Sequence, residues 1–546
     1  MQLEQLLKQN PPQSMVFESH RIRLRALKKE DVNALYEMRH SLDHFNYVNQ
    51  TTDAMPDETR DEKAYEEKAY EETKNFIDKI LNGYEIYKWY FWGIELKATK
   101  ALIGTLCLWN FNYDENKAEI GYELDKAYQN NGYVREGVKR VLNFAFKVLM
   151  LSTVEGIIHA QNRASVKVVE FYHFALTGIL SDKKQIIYSL NRLSFLSNYP
   201  ERAHEMGIKI GSLERGALNK ITDVAGIRVG HATLQSGAVQ TGVTIIIPSE
   251  EDMFAHKMIA ASHVINGFGK TTGLIQIDEL GTLETPIALT NTLAVGRVQD
   301  ALVDYMIASS EAKIKSINPV VGECNDSYLN DITHKSVQAY QVLEAIKEAN
   351  VDFSEGAVGA GRGMSCHQLK GGIGSSSRCF NIGEEQYTLG VLVLSNHGLL
   401  ADLIVDHSEI GSRIDALKSV QANEQAVDKG SCMIIVAMDL PVSDRQLKRI
   451  CKRAVNGLAR LGSYIGHGSG EVVIGFSTAN KMNLADKSKI KQYAFIDESQ
   501  IDIAFRAVVE ATEEAVLNSM LAAETVEGVN GHRRESLQSY IHLLAR

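Results

Sequence analysis

A serine at the edge of an apolar run is the first feature that could take part in chemistry. Ser431 follows Gly430 and opens the stretch Ser-Cys-Met-Ile-Ile-Val-Ala, which is typical of a buried strand. An isolated Gly-Ser pair of this kind is usually a turn that leads into a strand. A hydroxyl at the threshold of a buried strand can also be a nucleophile, so the rest of the chain has to decide between the two interpretations.

Other polar groups stand at the ends of predicted strands in the same half of the chain. Asn396 ends the apolar run Leu-Gly-Val-Leu-Val-Leu-Ser, and polar side chains crowd residues 323–331. Ser469 and Glu471 lie two apart just before another strand. On an extended segment such residues point to the same side, so this hydroxyl and this carboxylate could act at one site.

The elements that must position these groups change character along the chain. Residues 1–195 alternate strand and helix signals, and the polar stretch 196–206 is the best candidate for a linker. From 207 to 546 glycines become frequent and β-branched runs dominate. The sequence therefore predicts two domains, the first mixed α/β and the second rich in strands.

Composition excludes several classes of protein. With 45% hydrophobic and 23% charged residues, the 546-residue chain has the composition of a soluble globular protein. A net charge of −10 argues against nucleic acid as the main partner. No signal peptide and no run of about 18 apolar residues is evident, so we expect a cytoplasmic protein without membrane association.

Metal and disulfide sites are not expected from the six scattered cysteines. None forms a Cys-x-x-Cys pair, which indicates reduced thiols. His367 next to Cys366 is interpreted as a coincidence, because adjacent residues rarely point at one metal ion.

A glycine turn before a helix marks a second candidate site, in the first domain. Two strands are predicted over 101–112 and 117–125, followed by a helix that begins just after Gly132. A turn of this kind presents free backbone N–H groups at the positive end of a helix, which suits a pyrophosphate.

Residues 15–193 resemble the GNAT acetyltransferases, in particular the RimJ/RimL-like branch that acetylates protein N-termini and related amines. The matching pieces lie at 21–39, 119–138 and 162–174. The resemblance implies a mixed, strongly bent sheet with helices and acetyl-CoA as co-substrate. The residues that it implies for the cofactor are Gln129, Asn130, Asn131, Gly132, Tyr133, Val134 and Asn162.

Two departures from the GNAT pattern bear on acetyl-CoA binding. Val134 replaces a small residue and could crowd the phosphates, and His173 replaces the glycine expected before Phe174. The base that takes the proton of the amine is left open between Glu119 and Glu123.

From about 207 to the C-terminus the chain resembles the DmpA/BapA aminopeptidases of peptidase family S58. The agreement extends in order over blocks that include "GECNDSYLND", "GVLVLSNHG" and "GSCMIIVAMDLP". The resemblance implies an α-β-β-α sandwich similar to the N-terminal-nucleophile hydrolases, assembly into homo-oligomers, and no metal or cofactor in this domain.

The S58 resemblance also implies self-cleavage at the Gly430–Ser431 bond, which divides the domain into 207–430 and 431–546. Ser431 becomes the N-terminal nucleophile. Its implied partners are Ser469, Glu471, the oxyanion-stabilising amide of Asn396, and Tyr328 near the site. Glycine at 430 would help the backbone adopt the strained turn that attack on the preceding carbonyl needs. Ser469 could relay protons with Glu471, or Glu471 could bind the ammonium group of the substrate.

We therefore predict a self-processing serine aminopeptidase fused to an acetyl-CoA-dependent N-acetyltransferase. The substrates would be short peptides or amino-acid amides and esters, and the acetyltransferase would take an amine acceptor. Two alternatives stay open: acetyl transfer as the main activity beside a non-hydrolytic scaffold, or a degenerate GNAT domain that only supports assembly.

Overall fold

The computed structural model describes residues 2–19, 21–40, 62–181, 184–198, 202–418 and 428–544. The chain divides into two compact units, Met1–Tyr199 and Pro200–Arg546. Of the residues predicted as a linker, 196–198 end a helix of the first unit. Residues 202–206 belong to the second unit, where the Arg202 guanidinium donates hydrogen bonds to the carbonyls of Leu218 and Asn219.

The first unit is one mixed sheet of eight strands with helices. In spatial order the strands run β1-β2-β3-β4-β5-β6-β8-β7. The strands are β1 Phe17–Glu18, β2 Ile22–Ala26, β3 Tyr90–Leu96, β4 Leu102–Asn112, β5 Lys117–Leu124, β6 Thr153–His159, β7 Ala175–Leu180 and β8 Gln185–Asn191. The helices are α1 Gln2–Gln9, α2 Val32–His40, α3 Glu62–Glu85, α4 Tyr133–Asn143, α5 Arg163–Phe171 and α6 Arg192–Asn198.

The predicted strand pair and the predicted helix of the first domain are confirmed. β4 and β5 pair antiparallel, and α4 begins directly after Gly132. β5 and β6 are parallel and pair only over Lys117–Glu119 and Thr153–Glu155, although both strands continue. The two strands therefore separate beyond Glu119, which exposes backbone groups in the middle of the sheet.

The second unit contains two main sheets. One has the order β14-β13-β10-β9 and the other β12-β11-β20-β19-β18-β17. The strands are β9 Arg228–Ser236, β10 Val239–Ile247, β11 His256–Gly267, β12 Thr282–Leu283, β13 Ile287–Asn291, β14 Val320–Cys324, β15 Ser365–Cys366, β16 Leu369–Lys370, β17 Gly372–Ile382, β18 Glu385–Asn396, β19 Ser431–Met438, β20 Gly470–Asn483, β21 Val526–Glu527 and β22 Arg533–Arg534. The helices are α7 Leu274–Leu280, α8 Val295–Ser309, α9 Ala339–Lys347, α10 Ile410–Lys418, α11 Asp444–Cys451, α12 Ala454–Arg460 and α13 Asp502–Leu521.

Three large apolar cores hold the described part of the second unit together in four layers, beside a small one formed by Leu329, Ala357, Ala523 and Val526. The central core joins the inward faces of the two sheets, with Ile287 and Leu289 facing Met433 and Ile435. On the outer face of the six-stranded sheet a second core contains the buried side of α13, and α8 and α9 cover the four-stranded sheet. Alternate residues of a strand face opposite cores, so the apolar runs seen in the sequence are buried on both sides.

Candidate active site

Ser431 opens the central strand of the six-stranded sheet. β19 pairs antiparallel with β18, where Ser431 faces Asn396, and parallel with β20, where Ser431 faces Gly470. The sequence favours this position because an eight-residue apolar strand needs neighbours on both edges; β18 ends opposite Ser431 and β20 begins there. The hydroxyl of Ser431 is buried, and among the described residues only the weakly polar Cys324 thiol interacts with it.

Gly430 is required here for a reason that the sequence analysis did not give. It is not among the glycines with a left-handed backbone. A Cβ atom at this position would instead lie 2.2 Å from the Asn396 carbonyl oxygen and 2.5 Å from the His397 Cα. Close packing against the end of β18 explains the glycine, and the strained turn expected during attack stays a prediction.

The carbonyl before Ser431 is already held by a donor. The backbone N–H of Gly470 donates a hydrogen bond to the Gly430 carbonyl oxygen over 3.1 Å. This is the oxygen that would gain charge if Ser431 attacked the carbonyl, so the donor stands where an oxyanion would form.

Asp428 fixes the segment in front of the Gly430–Ser431 bond. Its Oδ1 accepts hydrogen bonds from the N–H groups of Gly398 and Gly430, both over 3.2 Å. Its Oδ2 accepts a third, from the N–H of Gly466 over 3.4 Å. One buried carboxylate thus ties three glycine-containing loops together.

Ser469 and Glu471 form a hydrogen-bonded pair, and their spacing predicts that the two side chains lie on the same side. Both side chains are buried, and the Ser469 hydroxyl donates a hydrogen bond to Glu471 Oε1. Burial raises the pKa of Glu471 to about 7, with a smaller contribution from the Asp428 carboxylate. The second carboxylate oxygen, Oε2, has no partner among the described residues, so it is free to accept a proton.

Asn396 is anchored by its own hydrogen bonds. Its Oδ1 accepts from the Ser365 N–H over 2.8 Å, and its Nδ2 donates to the Asn325 carbonyl over 3.0 Å. These contacts fix the amide with its nitrogen as the donor end. A second N–H on Nδ2 is left for another acceptor.

Tyr328 lies on the open side of the site. Its side chain is 39% exposed, and its ring stacks on His532 with the Arg534 guanidinium 3.6 Å from the ring centre. The stacked rings hold the tyrosine in one orientation.

A pocket of about 430 Å³ brings most of these residues together. Ser431, Gly430, Asn396 and Tyr328 line it, whereas Ser469 and Glu471 lie behind its wall. The complete lining is Phe268, Lys270, Thr292, Glu323, Asn325, Ser327, Tyr328, Ser365, Gln368, Asn396, His397, Gly398, Leu399, Asp428, Lys429, Gly430, Ser431 and Arg534.

Two acidic residues of the pocket were missed by the sequence analysis. Glu323 is buried, and its carboxylate accepts hydrogen bonds from the Lys270 N–H and the Thr292 hydroxyl. Asp428 stands two residues before Gly430. Glu323 falls in the polar block 323–331 that was noted, but only the pairing of β13 with β14 reveals that it faces this site.

In the first unit the turn before α4 has the geometry predicted for an anion site. Gly132 has a φ of 80° and precedes the first turn of the helix, and Asn130 also has a positive φ. The first N–H groups of a helix have no partner inside it, so Tyr133 and Val134 present theirs to a ligand. The residues present therefore fit a phosphate group.

The other residues predicted for the cofactor lie around this turn. Gln129 and Asn131 are exposed, and their side-chain amides donate to backbone carbonyls of the same turn. Val134 packs against the core of the first unit, which directs its side chain inward. Asn162 caps α5, because its side chain accepts a hydrogen bond from the Ser165 N–H over 3.1 Å.

The other first-domain residues singled out in the sequence are His173 and the two candidate bases, Glu119 and Glu123. His173 has a φ of 59°, which explains why a glycine is expected at that position. Glu123 is buried in an ion pair with Arg39 and accepts a hydrogen bond from Thr105. Glu119 lies where β5 and β6 separate, so it is the freer of the two candidate bases.

Comparison with known proteins identifies the family. Residues 219–534 match the model described as peptidase family S58. The chain belongs to this family. Residues 21–175 match a second model, described as an acetyltransferase (GNAT) domain, so the predicted fusion is confirmed.

Named relatives agree with the S58 match. The chain is 38% identical over 350 residues to the beta-peptidyl aminopeptidase BapA of Sphingosinicella xenopeptidilytica, covering 60% of this chain and 87% of the relative. The solved PH0078 protein of Pyrococcus horikoshii OT3 is 45% identical and has a TM-score of 0.58, covering 62% of this chain and 96% of the other.

A third match supports the fold class of the second unit. The L-aminopeptidase D-Ala-esterase/amidase of Ochrobactrum anthropi is 30% identical with a TM-score of 0.58, covering 63% of this chain and 98% of the other. That protein is described as a prototype for the serine aminopeptidases and a new variant among the Ntn-hydrolase fold. The predicted fold class is therefore confirmed.

Among the described residues, no helix combines the length and apolarity needed to cross a membrane.

Proposed function

We propose that this chain cuts its own Gly430–Ser431 bond and then, through Ser431, removes N-terminal residues from short peptides, amides or esters. One observation above all supports the proposal. Among the described residues the buried Ser431 hydroxyl has only the weakly polar Cys324 thiol beside it, while the carbonyl of the preceding residue already accepts a hydrogen bond from Gly470. A buried hydroxyl with only a weak partner is costly, and such costs are tolerated at functional sites.

Self-cleavage consumes one water molecule. The Ser431 oxygen bonds to the Gly430 carbonyl carbon as its proton is taken by a base. The C–N bond then breaks, and the nitrogen of Ser431 leaves as a protonated amine. Water hydrolyses the resulting ester, which gives a carboxylate at Gly430 and restores the hydroxyl. The N–H of Gly470 would stabilise the oxyanion, and Ser469 with Glu471 is the available base pair.

After cleavage the new terminus supplies a second base. The α-amine of Ser431 would have a pKa of about 7.7, so roughly one sixth of it is unprotonated at pH 7 and can activate the hydroxyl of the same residue. The free N–H of the Asn396 side chain would donate to the oxyanion of the substrate. The acyl group passes to Ser431, the amine product leaves, and water completes the hydrolysis.

Glu323 is a reason to expect a substrate with a free ammonium group. Its carboxylate lines the pocket. Because the carboxylate already holds a backbone N–H and a hydroxyl, its position is fixed. A protonated amine would satisfy its remaining acceptor sites. The names of the relatives suggest β-peptides, peptides with an N-terminal L-amino acid, and D-alanine esters or amides as the first substrates to compare.

The experiment that tests the peptidase proposal is the intact mass of the purified protein. Wild type should give fragments 1–430 and 431–546, and Ser431→Ala should give one chain. Ser327→Ala, which removes another hydroxyl of the same pocket, is the matched control and should be cut. An uncut wild type, or a cut Ser431→Ala variant, contradicts the proposal.

For the first unit we propose that acetyl-CoA binds at the Gly132 turn and that an amine acceptor enters where β5 and β6 separate. The αL conformation of Gly132 and the unpaired N–H groups of α4 support this. Calorimetric titration with acetyl-CoA should give a saturable isotherm in wild type and in Ser431→Ala alike. Absence of binding would favour a domain that only supports assembly.

We also propose a cytoplasmic homo-oligomer. The six cysteines are all free thiols, which suits a reducing compartment. Light scattering coupled to size-exclusion chromatography measures the number of chains, and one chain per particle would contradict the oligomer.

A further inference from the structure

Three soft ligands meet beside the pocket. The side-chain ligand atoms of Cys366, His367 and His397 lie within 4.8 Å of one another, and all three residues are buried. Cys366 and His367 come from the β15–β16 hairpin, and His397 directly follows β18. Adjacency of Cys366 and His367 in the sequence did not predict this, because the third residue comes from another strand.

His367 is oriented as a metal-binding histidine. Its Nδ1 lies 2.9 Å from the Leu399 carbonyl oxygen, which can only accept a hydrogen bond. Nδ1 therefore carries the proton, and Nε2 presents its lone pair. Nε2 is buried and has no partner among the described residues. A carbonyl that fixes the opposite nitrogen is the usual support of a histidine ligand.

His397 provides the second imidazole. Neither of its ring nitrogens has a partner among the described residues, although the side chain is 2% exposed. One of the two nitrogens of a neutral imidazole always has a lone pair. A buried ring without hydrogen bonds is uncommon, and a cation at its lone pair would remove the deficit.

The backbone of the hairpin is shaped to keep His367 inside. His367 and Gln368 have φ values of 46° and 55°, a left-handed pair that usually takes Asn-Gly. Gly398 leaves room for the ring, since a Cβ there would lie 2.6 Å from its Cε1. The chain thus adopts an unfavourable conformation that directs an imidazole toward Cys366 and His397.

We propose that Cys366, His367 and His397 bind one zinc ion beside the active site. Thiolate and imidazole are both zinc ligands, and with three of them the fourth position of a tetrahedral site is open to water. In a tetrahedral site the ligand atoms lie roughly 3.4–3.6 Å apart, so the side chains close in by about 1 Å on binding. Binding releases the proton of the Cys366 thiol.

Neighbouring charges mostly favour a cation. The carboxylates of Asp428 and Asp402 act electrostatically on His367, and the Asp428 carboxylate also acts on Cys366. Among the described residues Lys370 opposes this effect at Cys366; its side-chain nitrogen donates to three backbone carbonyls, and burial lowers its pKa well below the ordinary value. With a thiolate, the bound zinc would carry one net positive charge beside Asp428.

Zinc bound at this site could influence the active site by restraining residues that the two sites share. His397 follows Asn396, and the N–H of His367 donates to the His397 carbonyl over 2.7 Å. A zinc ion that joins the hairpin to residue 397 would restrain the segment from Asn396 to Gly398. The same segment contacts Gly430 and Asp428.

The test loads the full-length protein with metal after treatment with a chelator. Zinc measured by mass spectrometry after gel filtration should reach one ion per chain in wild type. Cobalt should add a thiolate-to-metal charge-transfer band in the near ultraviolet. The matched control Cys451→Ser, another buried thiol of this unit, should keep both signals, and Cys366→Ser should lose both.

A second variant covers the case in which Cys366→Ser does not fold. His397→Gln removes no hydrogen bond, so it should fold, and it should weaken zinc binding by at least tenfold in competition with a chelator dye. Wild-type protein without the cobalt–thiolate band overturns the proposal. So does a Cys366→Ser or His397→Gln variant that binds zinc as tightly as Cys451→Ser.

Discussion

The two sites of this chain are built from different parts of the polypeptide. Around Ser431 the chemistry depends on side chains that converge from several strands, and the key hydroxyl is buried. Around Gly132 the groups that matter are backbone N–H groups at the start of one helix, in an exposed turn. A site of the first kind should fail when one side chain is removed. A site of the second kind should respond mainly to changes of the backbone.

The largest effect should come from Ser431→Ala. Without the oxygen that forms the acyl bond, self-cleavage and peptide hydrolysis should fall to background, a loss on the order of 10³-fold or more. Binding of acetyl-CoA should not change. Cleavage is read by intact mass and hydrolysis by release of a chromogenic amine. A similar loss in both units would remove the contrast between the two sites.

Asn396→Ala should give the next largest loss in the cut enzyme. Removal of one oxyanion donor costs roughly 3–4 kcal/mol, which is about 10²–10³-fold in kcat. The matched control is Asn480→Ala, since Asn480 is also a buried asparagine that donates to a backbone carbonyl. Equal kcat values for the two variants, measured on fully cut protein, would contradict a role for Asn396 in turnover.

Gly430→Ala should slow self-cleavage. The new Cβ would meet the Asn396 carbonyl oxygen at 2.2 Å, so the segment has to shift. Overpacking of this kind costs roughly 1–3 kcal/mol, or about fivefold to 150-fold in rate. Gly468→Ala is the control, because its Cβ would meet only the flexible Lys429 side chain at 3.3 Å. Cleavage of both variants at the wild-type rate would show that packing at 430 does not matter.

Self-cleavage should become faster as the pH rises toward about 7. Glu471, whose pKa burial raises to about 7, must be ionised to accept the proton of Ser469. Below that pH the rate should fall about tenfold per unit, and above it the rate should level off. Glu471→Gln should be slower and should lose this dependence when followed by stopped-time gel analysis.

The same shift of the Glu471 pKa has the opposite effect on stability. The folded chain holds a proton that the unfolded chain releases near the ordinary value of 4.5. The contribution to the free energy of unfolding is therefore complete below about 4.5 and is lost as the pH rises through about 7. Denaturation of Ser431→Ala with and without Glu471→Gln across this range separates the two effects.

The smallest effect is expected in the first unit. Gly132→Ala places a Cβ on a residue with a φ of 80°, which costs roughly 1 kcal/mol and should weaken acetyl-CoA binding about fivefold. Gly156→Ala is the control in the same sheet, because its Cβ would make only ordinary contacts. A much larger loss, measured by calorimetry, would indicate that this site depends on a single position as strongly as the other does.

The sequence predicted what depends on local pattern. The strand pair β4–β5, the start of α4 and the pairing of Ser469 with Glu471 follow from periods of two and 3.6 residues. The sequence did not predict the long-range contacts of the site. Neither Glu323 nor Asp428 has a local signal, because each reaches the pocket through the register of strands that are far apart in the chain. The close contact between Gly430 and the end of β18 is also long-range, so the sequence did not predict it.

The order of strands in the six-stranded sheet has a lasting consequence for a cut chain. β19 and β20 follow the Gly430–Ser431 bond, yet they lie between β18 and β11, which precede it. The two fragments would therefore share one sheet and could not separate without unfolding. An intact chain refolds in a first-order reaction. Two separated fragments must first meet, so their refolding is second order. Recovery of the cut protein from denaturant should then depend on protein concentration, whereas recovery of an uncut chain should not.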